Sequence, residues 1–222
     1  MTNNKYALEL FCGTKSFGNF AELEKYSVIS LDIESKYNPT ILTDILEWDY
    51  KQFPVGFFDI IWSSPYSVMQ NIHVGRSMTG EELEKKRSFS DKLVIRTFEI
   101  IDYFKPRVWY MENPFTSCLK NRDFMQDKDY CIGDYCKYSD WGYKKPTIFF
   151  TNKPVSLHRC KRDCDNMIWN DGKPKYHKYS VGGGGATRRT RDHEIHGECT
   201  TKTTLQERYR IPEKLLKHLI FT

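Results

Sequence analysis

The chain has 222 residues, 39% hydrophobic and 15% aromatic, enough to bury the core of one globular domain with an insertion and too apolar for a disordered chain. Its first residues are polar and no apolar run could cross a bilayer, so neither a signal peptide nor a membrane span is expected; seven irregularly spaced cysteines point to free thiols in an intracellular reducing compartment, cytoplasm or nucleus, rather than a disulfide framework. The net charge of +5 hides an asymmetry, because Lys144 to Arg191 hold 12 Lys and Arg against 3 Asp and Glu, which reads either as a footprint for a polyanion or as a solvated loop.

An apolar run from Tyr6 to Phe11 predicts a buried strand. Gly13 then demands a sharp turn, and Ser16 is placed to cap a short helix from about Phe17 to Lys25. Such a unit offers backbone N–H groups and a positive helix end to a polar ligand. Gly13 and Gly18 alone do not make a dinucleotide fingerprint. The next strand, Ser27 to Leu31, ends in Asp32, roughly twenty residues after the first glycine, the usual offset for gripping ribose hydroxyls. A plain strand-to-helix connection is the alternative. A third strand, Thr40 to Leu42, leads into a helical turn at Thr43 to Leu46, where Asp44 could accept from an adenine amine or simply favour the helix dipole.

The fourth strand, Phe57 to Trp62, ends in Ser63-Ser64-Pro65-Tyr66-Ser67. A polar segment from Gln70 to Lys86 is expected to be mobile, with a capping-box pattern at Thr79 and Glu82. Leu93, Val94, Thr97, Phe98, Ile101 and Phe104 recur at helical spacing and predict a helix from Asp91 to Phe104, stopped by Pro106. The fifth strand, Arg107 to Met111, runs into Glu112-Asn113-Pro114. Glu112 at that edge is a candidate for acid–base work or substrate gripping, or else a loop acid paired with an arginine. Strands near Tyr130 to Asp134 and Thr147 to Thr151 complete an alternating strand–helix pattern, hence a largely parallel sheet.

After Asn152 the periodicity fades. Pro154, Gly172, Pro174 and the run Gly182 to Gly185 mark a loop-rich region with Trp169, Tyr176 and Tyr179 among basic residues, a composition suited to stacking and phosphate contact. Arg188, Arg189 and Arg191 follow the glycines as an arm that would order on its partner. His158, Cys160 and Cys164 precede His193, His196 and Cys199. Zinc held by Cys160, Cys164, His196 and Cys199 is conceivable, but Cys-x₃-Cys is not the tight knuckle spacing, and ordinary thiols and histidines with no metal are the expectation. Order returns at Leu205, and Pro212 should open a last helix with Leu215, Leu216, Leu219 and Ile220 on its apolar side.

With these stretches in hand, the chain resembles the DNA methyltransferases that modify carbon 5 of cytosine, especially short phage- and virus-encoded members. The likeness covers most of residues 5 to 151 and returns at Leu205 to Ile220. It is carried by Leu8-Glu-Leu-Phe-Cys-Gly-Thr, Leu31-Asp32-Ile33, Thr43-Asp44-Ile45-Leu46, Asp59-Ile-Ile-Trp-Ser-Ser-Pro65, Tyr110-Met-Glu112-Asn113-Pro114 and Lys144-Lys145-Pro146-Thr147, six motifs in the right order. The resemblance implies an α/β fold, a Rossmann-like S-adenosylmethionine-dependent methyltransferase sheet built from residues 1–151 and 205–222. Residues 152–204 would be a small irregular basic target-recognition region. It implies S-adenosylmethionine as methyl donor, with Phe11 and Gly13 lining its pocket, Asp32 holding the ribose and Asp44 the adenine. Cys12, Thr14, Ile33, Ile45 and Ser64 would complete that cofactor set. DNA is the implied partner, contacted by Lys144, Arg188, Arg189 and Arg191, with room for a partner subunit or a homodimer; a viral member would act inside its host cell.

In the family a cysteine after the fourth strand attacks the flipped cytosine, and the glutamate matched by Glu112 grips the ring nitrogen. Asn113, Pro65, Ser67 and Lys145 fall at the other catalytic motif positions. Here the chain departs from the pattern. Where the family has Pro-Cys it has Pro65-Tyr66-Ser67, so either Ser67 replaces the thiol or a short deletion removed it. Lys144-Lys145 stands where the wider family uses arginines. Two alternatives follow. The chain could be a catalytically inactive nucleic-acid-binding subunit. Or Ser63-Ser64-Pro65-Tyr66, similar to the Ser-Pro-Pro-Tyr of exocyclic-amine methyltransferases, could act on the amine of cytosine or adenine, leaving Glu112 unexplained.

Overall fold

The computed structural model describes residues 5–66, 80–179 and 204–222. Seven strands form one sheet, β1 (Tyr6–Leu10), β2 (Ser27–Asp32), β3 (Ile41–Leu42), β4 (Ile60–Ser63), β5 (Val108–Pro114), β6 (Tyr130–Asp134) and β7 (Pro146–Thr151), in the order β3-β2-β1-β4-β5-β7-β6. β1 pairs in parallel with β2 (Leu10 opposite Leu31) and with β4 (Leu10 opposite Ser63), and β4 pairs in parallel with β5. The chain builds outward from β1 on one side, then returns to build on the other. The carboxyl ends of β1 and β4 therefore flank a topological switch point, where doubly wound sheets take their ligands.

A strand covered on both faces must be apolar throughout, and Ala7, Leu8 and Leu10 of β1 are fully buried. Helix α1 (Ser16–Leu23) buries Phe17, Phe20 and Ala21, with Phe17 stacked on Trp62 at 5.2 Å. Helix α2 (Gly80–Phe104) supplies Leu93, Ile100, Ile101 and Phe104 to a cluster with Leu8, Leu10, Leu31, Phe58 and Ile61. Truncating any of these to Ala would cost about 2–5 kcal/mol. At the end of α2 Lys105 turns left-handed (φ 50°) ahead of Pro106, and Gly56 N–H caps the Phe104 carbonyl at 2.9 Å.

Several boundaries differ from the sequence reading. Ser16 is the first residue of α1 and does not cap it; Lys15 occupies the cap position with a left-handed backbone (φ 54°) and no side-chain cap. Residues 80–86, expected within a mobile segment, form the first turns of α2, while Thr79 and the rest of that segment lie outside the described residues. Glu112 belongs to β5 rather than to the loop beyond it.

Contacts divide the chain into two compact units, Met1–Cys131 with Ile148–Val155, and Ile132–Thr147 with Ser156–Thr222. The second unit contains a hairpin of β8 (Met167–Asn170) and β9 (Lys173–His177), in a stretch expected to be loop. Its two turn residues, Asp171 and Gly172, both have positive φ, as a tight Asp-Gly hairpin requires. Helix α3 (Leu205–Tyr209) opens with a capping box between Thr204 and Glu207. Helix α4 (Glu213–Phe221) has Pro212 as its cap rather than its first residue, and buries the four expected residues Leu215, Leu216, Leu219 and Ile220.

Candidate active site at the strand ends

The turn after β1 is held across the sheet. Cys12 N–H donates to the Leu31 carbonyl (3.1 Å), and Gly13 N–H donates to Asp32 Oδ2 (2.9 Å). Asp32 Oδ1 accepts the Glu34 N–H at 2.9 Å. Each carboxylate oxygen thus uses one lone pair on the backbone and keeps another. Phe11, Gly13 and Lys15 all have positive φ (57°, 44°, 54°). For Phe11 and Lys15 that conformation costs about 1 kcal/mol or more each, strain of the kind found where backbone is shaped around a ligand. The ammonium of Lys15 is tied to the Asn38 carbonyl, and Thr14 Oγ1 lies 3.1 Å from Ser16 Oγ.

The remaining cofactor candidates divide. Asp44 is partly buried, and its Oδ1 accepts the Leu46 N–H (2.9 Å) in a side-chain turn. Ile45 is 2% exposed and belongs to the core, whereas Ile33 is 65% exposed beside Asp32. Ser64 N–H reaches the Leu10 carbonyl (3.3 Å) and its hydroxyl accepts from Trp62 Nε1 (3.2 Å), so it fixes the junction of β1 and β4.

Beyond β4, the Tyr66 carbonyl accepts the Ser90 hydroxyl of α2 at 2.7 Å. Asn113, wholly buried, donates its amide to the Glu112 carbonyl (2.8 Å) and lies 3.5 Å from the Pro65 carbonyl; its own Oδ1 has no partner among the described residues. Glu112 is buried beside it at 9% exposure. Pro65, Glu112 and Asn113 are therefore brought together at one edge. Ser67 lies outside the described residues. Ser63 is completely buried, its hydroxyl turned to the Tyr110 carbonyl (3.4 Å) rather than presented to a substrate amine. Cys12 is no substitute nucleophile: burial first, then the nearby Glu9 and Asp32 carboxyls, push its thiol up to about 12, leaving it un-ionised near neutrality.

Sequence reasoning assigned no role to Glu9, which faces the start of α1. Burial pushes its carboxyl up to about 8 against the pull of the Gly18 and Phe17 N–H groups. A Cβ at Gly18 would come within 2.5 Å of Glu9 Oε2, so the glycine makes room for that acid. A lone charge within an otherwise apolar strand was the available signal.

Within the second unit, the basic pair is committed locally. Lys144 Nζ donates to the Cys160 carbonyl (3.0 Å) and lies 3.4 Å from Asp134. Lys145 Nζ donates to the Arg208 carbonyl (2.9 Å) and stands over the Tyr135 ring. Of the histidine and cysteine candidates, Cys160 and Cys164 come together with Cys136 and His177, two residues the sequence reading did not select. His158 instead stacks on Tyr138. His193, His196, Cys199, Arg188, Arg189 and Arg191 lie outside the described residues.

No family model matches the chain. It is 32% identical over 229 residues to a protein named "Probable DNA (cytosine-5)-methyltransferase" from Frog virus 3 (isolate Goorha), across 96% of this chain and 97% of that protein. A solved structure of a candidate DNA modification methyltransferase encoded within a prophage (E. coli) is similar at TM-score 0.46 and 11% identity, over 67% of this chain and 46% of that one.

Proposed function

Because the chain belongs to the DNA (cytosine-5)-methyltransferase family, we propose that it binds S-adenosylmethionine at the switch point and directs a methyl group to carbon 5 of a cytosine extruded from DNA. The observation that carries this reading is Asp32, a buried carboxylate linked to Gly13 across the ends of β1 and β2 with lone pairs to spare. Those acceptor oxygens fit a nucleoside diol, whose hydroxyls donate. Asp32 would hold the ribose and Asp44 the adenine amine, while the left-handed turn from Phe11 to Lys15 brings backbone close to the ligand. S-adenosylmethionine, when bound, supplies an electrophilic methyl group.

The residues of the chain do the rest. Glu112 grips the cytosine ring nitrogen, and Asn113 holds the Pro65 carbonyl beside it. Residues 152–204 serve as the target-recognition region, with Arg188, Arg189 and Arg191 on phosphates. In sequence, Ser67 either replaces the family's cysteine or follows a short deletion that removed it. A serine hydroxyl is a far weaker nucleophile than a thiolate near neutral pH, so methyl transfer through Ser67 would be slow. The exocyclic-amine reading loses support because Ser63, its acceptor, is turned into the sheet.

A second reading, an inactive nucleic-acid-binding subunit, is favoured by the same missing thiol after Pro65. Transfer of labelled methyl groups to DNA oligonucleotides, with product nucleosides identified, separates the two. The expected result is 5-methylcytosine at a low rate, raised about tenfold or more, at least 1.4 kcal/mol of barrier, by Ser67→Cys. Binding of cofactor and DNA with no product from either protein would favour the inactive subunit. Absence of cofactor binding, with the protein folded, would remove the proposal altogether.

A further inference from the structure

Three thiols and an imidazole converge in the second unit. Cys136 lies in the turn at Tyr135–Lys137 after β6, Cys160 and Cys164 in the loop before β8, and His177 at the end of β9. Their four ligand atoms all lie within 4.8 Å of one another. His177 Nε2 is 3.6 Å from Cys160 Sγ and 3.4 Å from Cys164 Sγ. A tetrahedral zinc with Zn–S near 2.3 Å and Zn–N near 2.0–2.1 Å sets S···N edges of roughly 3.6 Å. We propose that Cys136, Cys160, Cys164 and His177 bind one structural zinc ion.

The surroundings are built for such an ion. Asp134 Oδ2 accepts the Cys160 N–H (2.7 Å) and Lys144 grips the carbonyl of the same residue. Asn166, 3% exposed, donates to the carbonyls of Cys136 (2.9 Å) and Ser139 (2.7 Å) and accepts from Gly142 N–H (3.0 Å). These contacts orient the ligand-bearing backbone, the usual task of an outer shell. The three cysteines with Met167 make up a small hydrophobic cluster, so most of that core is ligand. A two-stranded hairpin such as β8–β9 is marginal alone, and a metal joining it to two other chain segments offsets the missing apolar burial. A disulfide would use only two of the three sulfurs and none of the imidazole. Three soft donors and one nitrogen, with no open position, select zinc in a closed site.

The test uses the full chain expressed with zinc. Elemental analysis should give about one zinc per chain, and cobalt exchange should give tetrahedral d–d bands with thiolate charge transfer. Cys136→Ser, Cys164→Ser and His177→Ala should each lose at least tenfold in metal affinity. His177→Cys should keep the metal with a four-thiolate spectrum, which separates lost ligation from lost folding. Cys118→Ser should change nothing. Wild-type protein free of zinc and giving no thiolate–cobalt band would overturn the site, as would full zinc retention in the three ligand variants.

Discussion

Glu9 is 3% exposed within an apolar strand, and its Oε2 lacks a hydrogen-bond partner among the described residues. Desolvation raises its folded pKa to about 8. At neutral pH the folded protein holds a proton there that the unfolded chain has released, so stability must fall as pH rises from the ordinary carboxyl range to about 8. The slope approaches ~1.4 kcal/mol per pH unit between those limits and vanishes above them. Glu9→Gln keeps the uncharged shape and should flatten it. Urea midpoints at pH 5 and pH 8 measure this: wild type is expected to lose stability between them and the variant much less. Equal losses would mean that another group carries the proton. Asp32 was legible from its offset behind Gly13; the partnership of Glu9 with Gly18 was not, since only the fold reveals that a strand residue faces the next helix.

Arg96 shows how an element is fixed to its neighbours. From α2 it donates Nε to the Ile45 carbonyl (3.1 Å) and Nη2 to the Trp48 carbonyl (2.9 Å), with its guanidinium 4.7 Å from the Tyr50 ring centre. The turn carrying Asp44 thus hangs on one planar fork. Arg96→Ala should cost about 2–3 kcal/mol by leaving two carbonyls unpaired, and Arg96→Lys an intermediate amount because an ammonium cannot span both. Denaturant titration checks both, and an Ala variant as stable as wild type would refute it. The central strands β1 and β4 were readable as largely apolar, buried runs. The first turns of α2 were not: in residues 80–90 only Leu83 and Ser90 are buried, too sparse a stripe to register. Ion pairs on the solvent side, Glu81–Lys85 at 2.8 Å and Glu84–Arg87 at 3.7 Å, accompany those turns. The β8–β9 hairpin was announced by Asp171-Gly172, but irregular composition on both sides masked it.

Across the whole molecule, excess positive charge is confined to one region while the remainder is acidic. If that region grips DNA through Arg188, Arg189 and Arg191, replacing all three with Ala should weaken binding across sequences and reduce the slope of log K against log salt by about 3. An unchanged slope would take the phosphate role from them. The order of the six family motifs was legible because each lies at a strand end, where a handful of residue types suffices. Of the proposed metal ligands Cys160 and Cys164 were named from the sequence, but Cys136 and His177 were not, because they join that pair only once the turn after β6 and the hairpin have folded.

At the opposite edge of the sheet Tyr26, Asp59 and Arg107 form a clamp beneath β2, β4 and β5. The guanidinium meets Asp59 through two 2.9 Å contacts, and the Tyr26 hydroxyl adds a third at 2.9 Å. Register is thereby locked from below, independent of what the chain does after Pro65. None of the three clamp residues lies in the Pro65-Tyr66-Ser67 stretch, so a substitution there leaves these contacts in place.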